Sequence, residues 1–126
     1  MKDRTEISEQ DNNFMESSIS KYYPESKFLS VDAISQIIEK KEVTKFSGGY
    51  NIDFSVIAQD VLNIAETLSL IITSYYLIKT NKNNKSIEII IKSEIEKNEI
   101  LESLEEKEKQ EFINEILTHL NSKNGD

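Results

Sequence analysis

The segment S-I-E-I-I-I-K-S-E-I-E-K-N-E-I-L-E, Ser86 to Glu102, decides the fold class. Ile87, Ile89, Ile91 and Ile95 fall on one side of a period of two, with Glu88, Lys92, Glu94 and Glu96 on the other. Such alternation gives a strand one apolar face and one wet face. Ile90 interrupts the polar side. Lys97-Asn98 follows as a two-residue turn, since asparagine tolerates left-handed backbone. Glu99-Ile100-Leu101-Glu102 then returns as the second strand of a hairpin.

Upstream, beyond the polar loop Lys79 to Lys85, lies the longest apolar pattern, Asn51 to Lys79. Phe54, Ile57, Val61, Ile64, Leu68, Ile71, Tyr75 and Ile78 keep an i, i+3, i+7 spacing, and Ala58, Ala65 and Ile72 widen the stripe. That is one continuous face of a helix. Gln59, Asp60, Asn63, Glu66 and Thr67 form the opposite face of its first half. In the second half Leu70 and Leu77 stand where charges belong, beside Thr73 and Ser74. Leu70, Thr73, Ser74, Leu77 and Ile78 are therefore the candidate interaction surface. An uncovered apolar patch of this kind marks an interface. The expectation is that it is buried by the terminal helix, through Phe112, Ile116 and Leu120, or by a second protein chain. The helix is long enough to cross a membrane. Its polar first half leaves only Leu68 to Ile78 strongly apolar, so a buried helix in a soluble protein, with no membrane span, is expected.

Downstream, Ser103-Leu104-Glu105-Glu106 has the spacing of a capping box. The helix behind it buries Phe112, Ile113, Ile116, Leu117 and Leu120. A single helix from 95 to 121 would put positions 100, 101 and 104 out of phase with 112–120, so strand plus helix is preferred. Residues 122–126 read as a frayed tail.

Toward the N-terminus, residues 1–20 are polar and read as mostly disordered, with Phe14 and Met15 loosely held. Pro24 makes Tyr23 extended. Ser30 caps a short helix over 31–41 that buries Ile34, Ile37 and Ile38. Residues 43–47 read as a short strand, and Gly48-Gly49 as the turn before the long helix, which Asn51 or Asp53 can cap. The spacing of that glycine pair fits no phosphate-binding fingerprint. The expected fold is a single α+β domain over 21–121. In it a small antiparallel sheet (43–47, 86–96, 99–102) packs on the long central helix and two shorter ones.

Chemistry-bearing constellations are sparse. The chain of 126 residues has no cysteine and a single histidine, His119, which rules out a thiolate zinc site and leaves nothing to pair with that imidazole as a metal ligand. No G-x-S-x-G elbow or EF-hand loop is present, and no carboxylate pair stands out. The reading is a protein that is not an enzyme, with no catalytic, cofactor-binding or metal residues. A formal charge of -8 opposes binding to nucleic acid, whose phosphates want lysine and arginine. It suits either solubility or a basic partner.

From Gly48 onward the layout is a glycine turn, a long apolar helix, a polar loop, a hairpin and a short closing helix. The residues Gly48-Gly49, Ile57-Ala58, Ala65 to Leu77 and Ile87-Glu88-Ile89 carry it. This layout resembles the effector-associated constant component family of bacterial conflict systems. Lys97-Asn98 stands where that family has an Asp-Gly turn, and Tyr75-Tyr76 with Lys79 where it has a tryptophan and arginines. The resemblance implies a cytoplasmic, noncatalytic interaction component of a defence or toxin module, with an effector or toxin as its protein partner. The alternative is an acidic immunity protein or antitoxin that neutralises a basic toxin such as a nuclease. A homodimer is a further expectation for the 70–78 surface.

Overall fold

The computed structural model describes residues 7–43, 54–81 and 86–122, and every regular element among them is helical. The α+β expectation is thereby corrected: the hairpin segment is α4 (Ile87–Lys97) followed by a single turn, α5 (Glu99–Glu102). Ile87, Ile91 and Ile95 satisfy a spacing of four as well as of two. Ile91 and Ile95 are buried with Ile87 and Ile90 partly so, which is a helical stripe. Ile89, which the strand reading put on the inner face, is 68% exposed. Val43 lies beyond the end of α2 in no strand, and 44–53, with the expected glycine turn and caps, lie outside the described residues.

Asn98 makes the joint between α4 and α5. Its backbone is extended (φ -94°, ψ 115°), not left-handed. Its side-chain oxygen accepts from the N–H groups of Ile100 and Leu101 at 3.0 and 3.1 Å. Its amide donates to the Asn63 carbonyl at 3.3 Å and to Thr67 Oγ1 at 3.0 Å. One buried side chain thus caps a turn and ties it to the long helix. Asn98→Ala is expected to cost about 2–3 kcal/mol, a lost cap plus buried donors left unpaired. Urea unfolding measures it, and a loss below about 0.5 kcal/mol would be that of an ordinary surface site.

The N-terminal segment is also ordered from residue 9. Ser8 opens α1 (Glu9–Tyr22) with a reciprocal capping box: its hydroxyl accepts from Asp11 N–H, and the Asp11 carboxylate accepts from Ser8 N–H. Met15, Ile19 and Tyr22 form the buried stripe. Pro24 then begins a 3₁₀ turn, Pro24–Phe28. Ser30 caps α2 (Val31–Lys40), as expected, by accepting from Ala33 N–H. Helix α3 (Phe54–Asn81) is the long central helix. Helix α6 (Glu106–Asn121) begins at an N-cap of Glu105 with no side-chain cap bond. The expected Ser103 capping box does not form, because the Ser103 hydroxyl donates to the Ile100 carbonyl instead.

Four of these helices make an up-and-down bundle. Tyr76 meets Asp11, Ser69 meets Met15 and Asp60 meets Tyr23, so α1 and α3 run antiparallel. Asn98 against Asn63 and Thr67 sets α4 antiparallel to α3. His119 against Asp11, with Glu115 and Glu111 against Lys21, sets α6 antiparallel to α1. α6 packs between α1 and α4, which leaves it diagonally across from α3, while α2 packs on α1 and α3. The core is the shared axis: Met15 and Ile19 of α1, Val61, Leu68 and Ile72 of α3, Ile91 and Ile95 of α4, and Phe112, Ile116 and Leu120 of α6. By length and composition α3 could cross a membrane. In this fold its apolar stripe faces the other helices.

Candidate functional site

The candidate surface on α3 is open. Leu70 is 48% exposed and Leu77 49%, one heptad apart, while Thr73, Ser74 and Ile78 are partly buried. The bundle geometry explains why the terminal helix does not cover them. Phe112, Ile116 and Leu120 are themselves fully buried, on the far diagonal. The Thr73 hydroxyl is bonded back to the Ser69 and Leu70 carbonyls at 2.9 and 3.2 Å, which lowers the polarity of the strip between the two leucines. Toward the N-terminus the same outer face carries exposed Gln59, Asn63 and Glu66, the first two bonded to each other at 3.2 Å. The face therefore grades from acidic and amide-bearing at Gln59 to apolar at Leu77 along about five turns.

A second feature escaped the sequence reading. Asp11 is fully buried and ties three helices together. Its Oδ2 accepts from Ser8 N–H at 2.9 Å and from the Tyr76 hydroxyl at 2.6 Å, and its Oδ1 lies 2.7 Å from His119 Nε2. An ionised carboxylate can only accept, so His119 donates through Nε2–H. Phe14 stacks on the imidazole, centroids 4.2 Å apart and planes within 2°. The aspartate–histidine pair has the ingredients of a general base. However, the carboxylate is committed to holding helices. Its geometry is that of a pin. The signal in the sequence was Ser8 three residues before Asp11 with Met15, Ile19 and Tyr22 behind it.

Between α1 and α6 runs a groove of about 540 Å³, floored by Phe14, Ser17 and Ser18 on one side and Asn114, Thr118 and His119 on the other. At its far end Lys21 Nζ lies 2.7 Å from Glu111 and 2.5 Å from Glu115. Those two carboxylates, Glu111 first, raise the Lys21 pKa, and Lys21 in turn lowers that of Glu111. Beneath them Tyr22 stacks on Phe112, with its buried hydroxyl beside Glu115 but without a well-formed hydrogen bond. Burial, then that carboxylate, pushes its pKa up to about 12. A smaller polar hollow on the α3 side is lined by Asp60, Asn63, Glu66, Thr67 and Asn98. No group of three or more metal-binding side chains occurs among the described residues.

Comparison with known proteins gives no relative. No family model, no curated protein and no solved structure matches the chain. The resemblance to the effector-associated constant component family loses the hairpin that carried part of it, since Ile87-Glu88-Ile89 opens a helix. What remains as a guide is the distribution of charge and apolar surface on the bundle.

Proposed function

We propose that this protein is a noncatalytic, acidic interaction component of a bacterial defence or toxin module, which docks a basic protein partner on the outer face of α3. The observation that carries the reading is the half-exposure of Leu70 and Leu77 on the central helix of the bundle. Of the two expected covers for this face, the terminal helix lies elsewhere, which supports a second chain. Glu66 and the net charge of -8 suit a partner with basic residues around an apolar spot. Of the two forms this role takes, coupling an effector or capping a toxin, the charge favours the second. Complementary charge speeds capture of a basic toxin such as a nuclease.

The test uses the two leucines. The double variant Leu70→Asp, Leu77→Asp is expected to keep its circular dichroism spectrum, because both side chains are already half in water. It should lose about a hundredfold or more in affinity for a basic protein co-purified from the native host, the effect of removing two interface anchors. Ile89→Asp, at an exposed apolar position on α4, is the control and should bind normally. Equal binding by all three proteins would sink the assignment. So would sedimentation as a dimer that Leu77→Glu dissociates, because the face would then belong to a second copy.

A further inference from the structure

The groove between α1 and α6 lies on a different side of the bundle from Leu70 and Leu77, and its chemistry is different. Its floor is largely apolar, lined by Phe14 and the small side chains of Ser17 and Thr118. Its far end holds two carboxylates, Glu111 and Glu115, that share the Lys21 ammonium, with Lys107 also acting on Glu111. Lys21 reaches them from an exposed position, with its ammonium 5.3 Å from the Tyr22 ring. The chain's own lysine thus occupies the groove's cation position, held between both carboxylates at the end of a half-exposed side chain.

We infer that this groove is a docking site for a short extended peptide segment bearing a basic side chain, which takes the Glu111 and Glu115 carboxylates in place of Lys21. Charge complementarity selects the occupant: an incoming guanidinium is planar and forked and can engage two carboxylates at once, which the Lys21 ammonium does only as a point charge. Size agrees. From Phe14 to Lys21 is seven helical residues, roughly 10 Å at 1.5 Å each, which is about three residues of extended chain at 3.3 Å. The volume of about 540 Å³ lies within the range of sites that enclose a ligand of that size. Ser17 and Thr118 leave room for the peptide backbone, and the exposed Asn114 amide stands at the middle of the groove to pair with a peptide group. Lys21 swings outward into water as the guanidinium enters, so no charge is buried unpaired.

The experiment is an amide chemical-shift titration of the full chain with three probes. They are an acetylated, amidated five-residue peptide with arginine between leucines, its counterpart with glutamate in the centre, and spermidine. The arginine peptide is expected to move the amide signals of Ser17, Asn114 and Thr118 and to leave those of Leu70 and Leu77 in place. Lys21→Gln removes the internal competitor and should tighten binding several-fold, whereas Glu111→Gln with Glu115→Gln should weaken it about tenfold or more. All three positions are at the surface, so the fold is not at stake. The inference is overturned by equal shifts from the glutamate peptide, by weaker binding in Lys21→Gln, or by no shift at millimolar peptide. It is overturned as well if spermidine moves the same signals as strongly, since the groove would then take a simple amine. None of these outcomes touches the α3 face, whose test is separate.

Discussion

Asp11→Ala is expected to lower the unfolding free energy by about 3–5 kcal/mol, a third or more of what holds a domain of this size together. The side chain is fully buried and accepts from three groups on three helices: Ser8 N–H, the Tyr76 hydroxyl and His119. Removing it takes away the acceptor that all three share, and each buried group left without a partner costs about 1–3 kcal/mol. The cap on α1 goes with it. Asp11→Asn separates the causes. Asparagine keeps an oxygen for Ser8 and Tyr76, and its amide can donate to His119 once the imidazole carries its proton on the other nitrogen. That variant is expected to cost only about 1 kcal/mol, one hydrogen bond weakened. Urea unfolding of both variants decides it. If asparagine proves as costly as alanine, the pin works through its charge and the hydrogen-bond account fails.

Phe112→Ala is the second large effect, expected at about 3–5 kcal/mol for a fully buried aromatic replaced by a methyl. Phe112 is on α6 and stacks on Tyr22 of α1, centroids 4.2 Å apart and tilted by 21°. Truncation opens a void where neighbouring helices cannot close up, because Ile113, Ile116 and Ile19 around it already belong to the same packed core. Phe112→Leu keeps most of the volume and should lose less than half as much. Thermal and urea unfolding give both numbers. An alanine variant within about 1 kcal/mol of the parent would mean that α6 is not part of the cooperative core.

Much of the helical content was readable. The α3 stripe, the Ser30 cap and the buried face of α6 follow from spacing alone, because each pattern is long or has a cap that only a helix uses. The hairpin reading failed at Ile87 to Ile95. Isoleucines at 87, 89, 91 and 95 satisfy a strand, yet 87, 91 and 95 also satisfy a helix, and isoleucine itself leans toward strands. Ile90 was the discriminating residue: it intrudes on a strand's wet side but joins Ile87 and Ile91 on a helix. Tertiary packing against α3 and α6 then outweighed propensity. α1 was hidden for the opposite reason. Its apolar stripe is short, only Met15, Ile19 and Tyr22, and buried Asp11 and Ser18 share the interface, so the apolar period is weak against a polar segment. Leu70 and Leu77 stand out in the sequence as apolar residues at polar positions, and the structure leaves them half-exposed, but which neighbours would flank them depended on bundle order, which no local pattern encodes.

The pin between Asp11 and His119 joins positions 108 residues apart. During synthesis this has a cost in time. As the chain emerges, α1, α2 and α3 can already meet, since each is a near neighbour of the others. The flank of α1 that waits for α6 lacks Phe112 for Tyr22 to stack on and His119 for the Asp11 carboxylate until α6 is made, although Tyr76 of α3 can already donate to that carboxylate. Until α6 has been made the nascent protein shows an uncovered apolar seam, the kind of surface that chaperones bind and that neighbouring chains on a polysome can capture. Vectorial growth therefore makes the docking of α6 the step that closes this bundle.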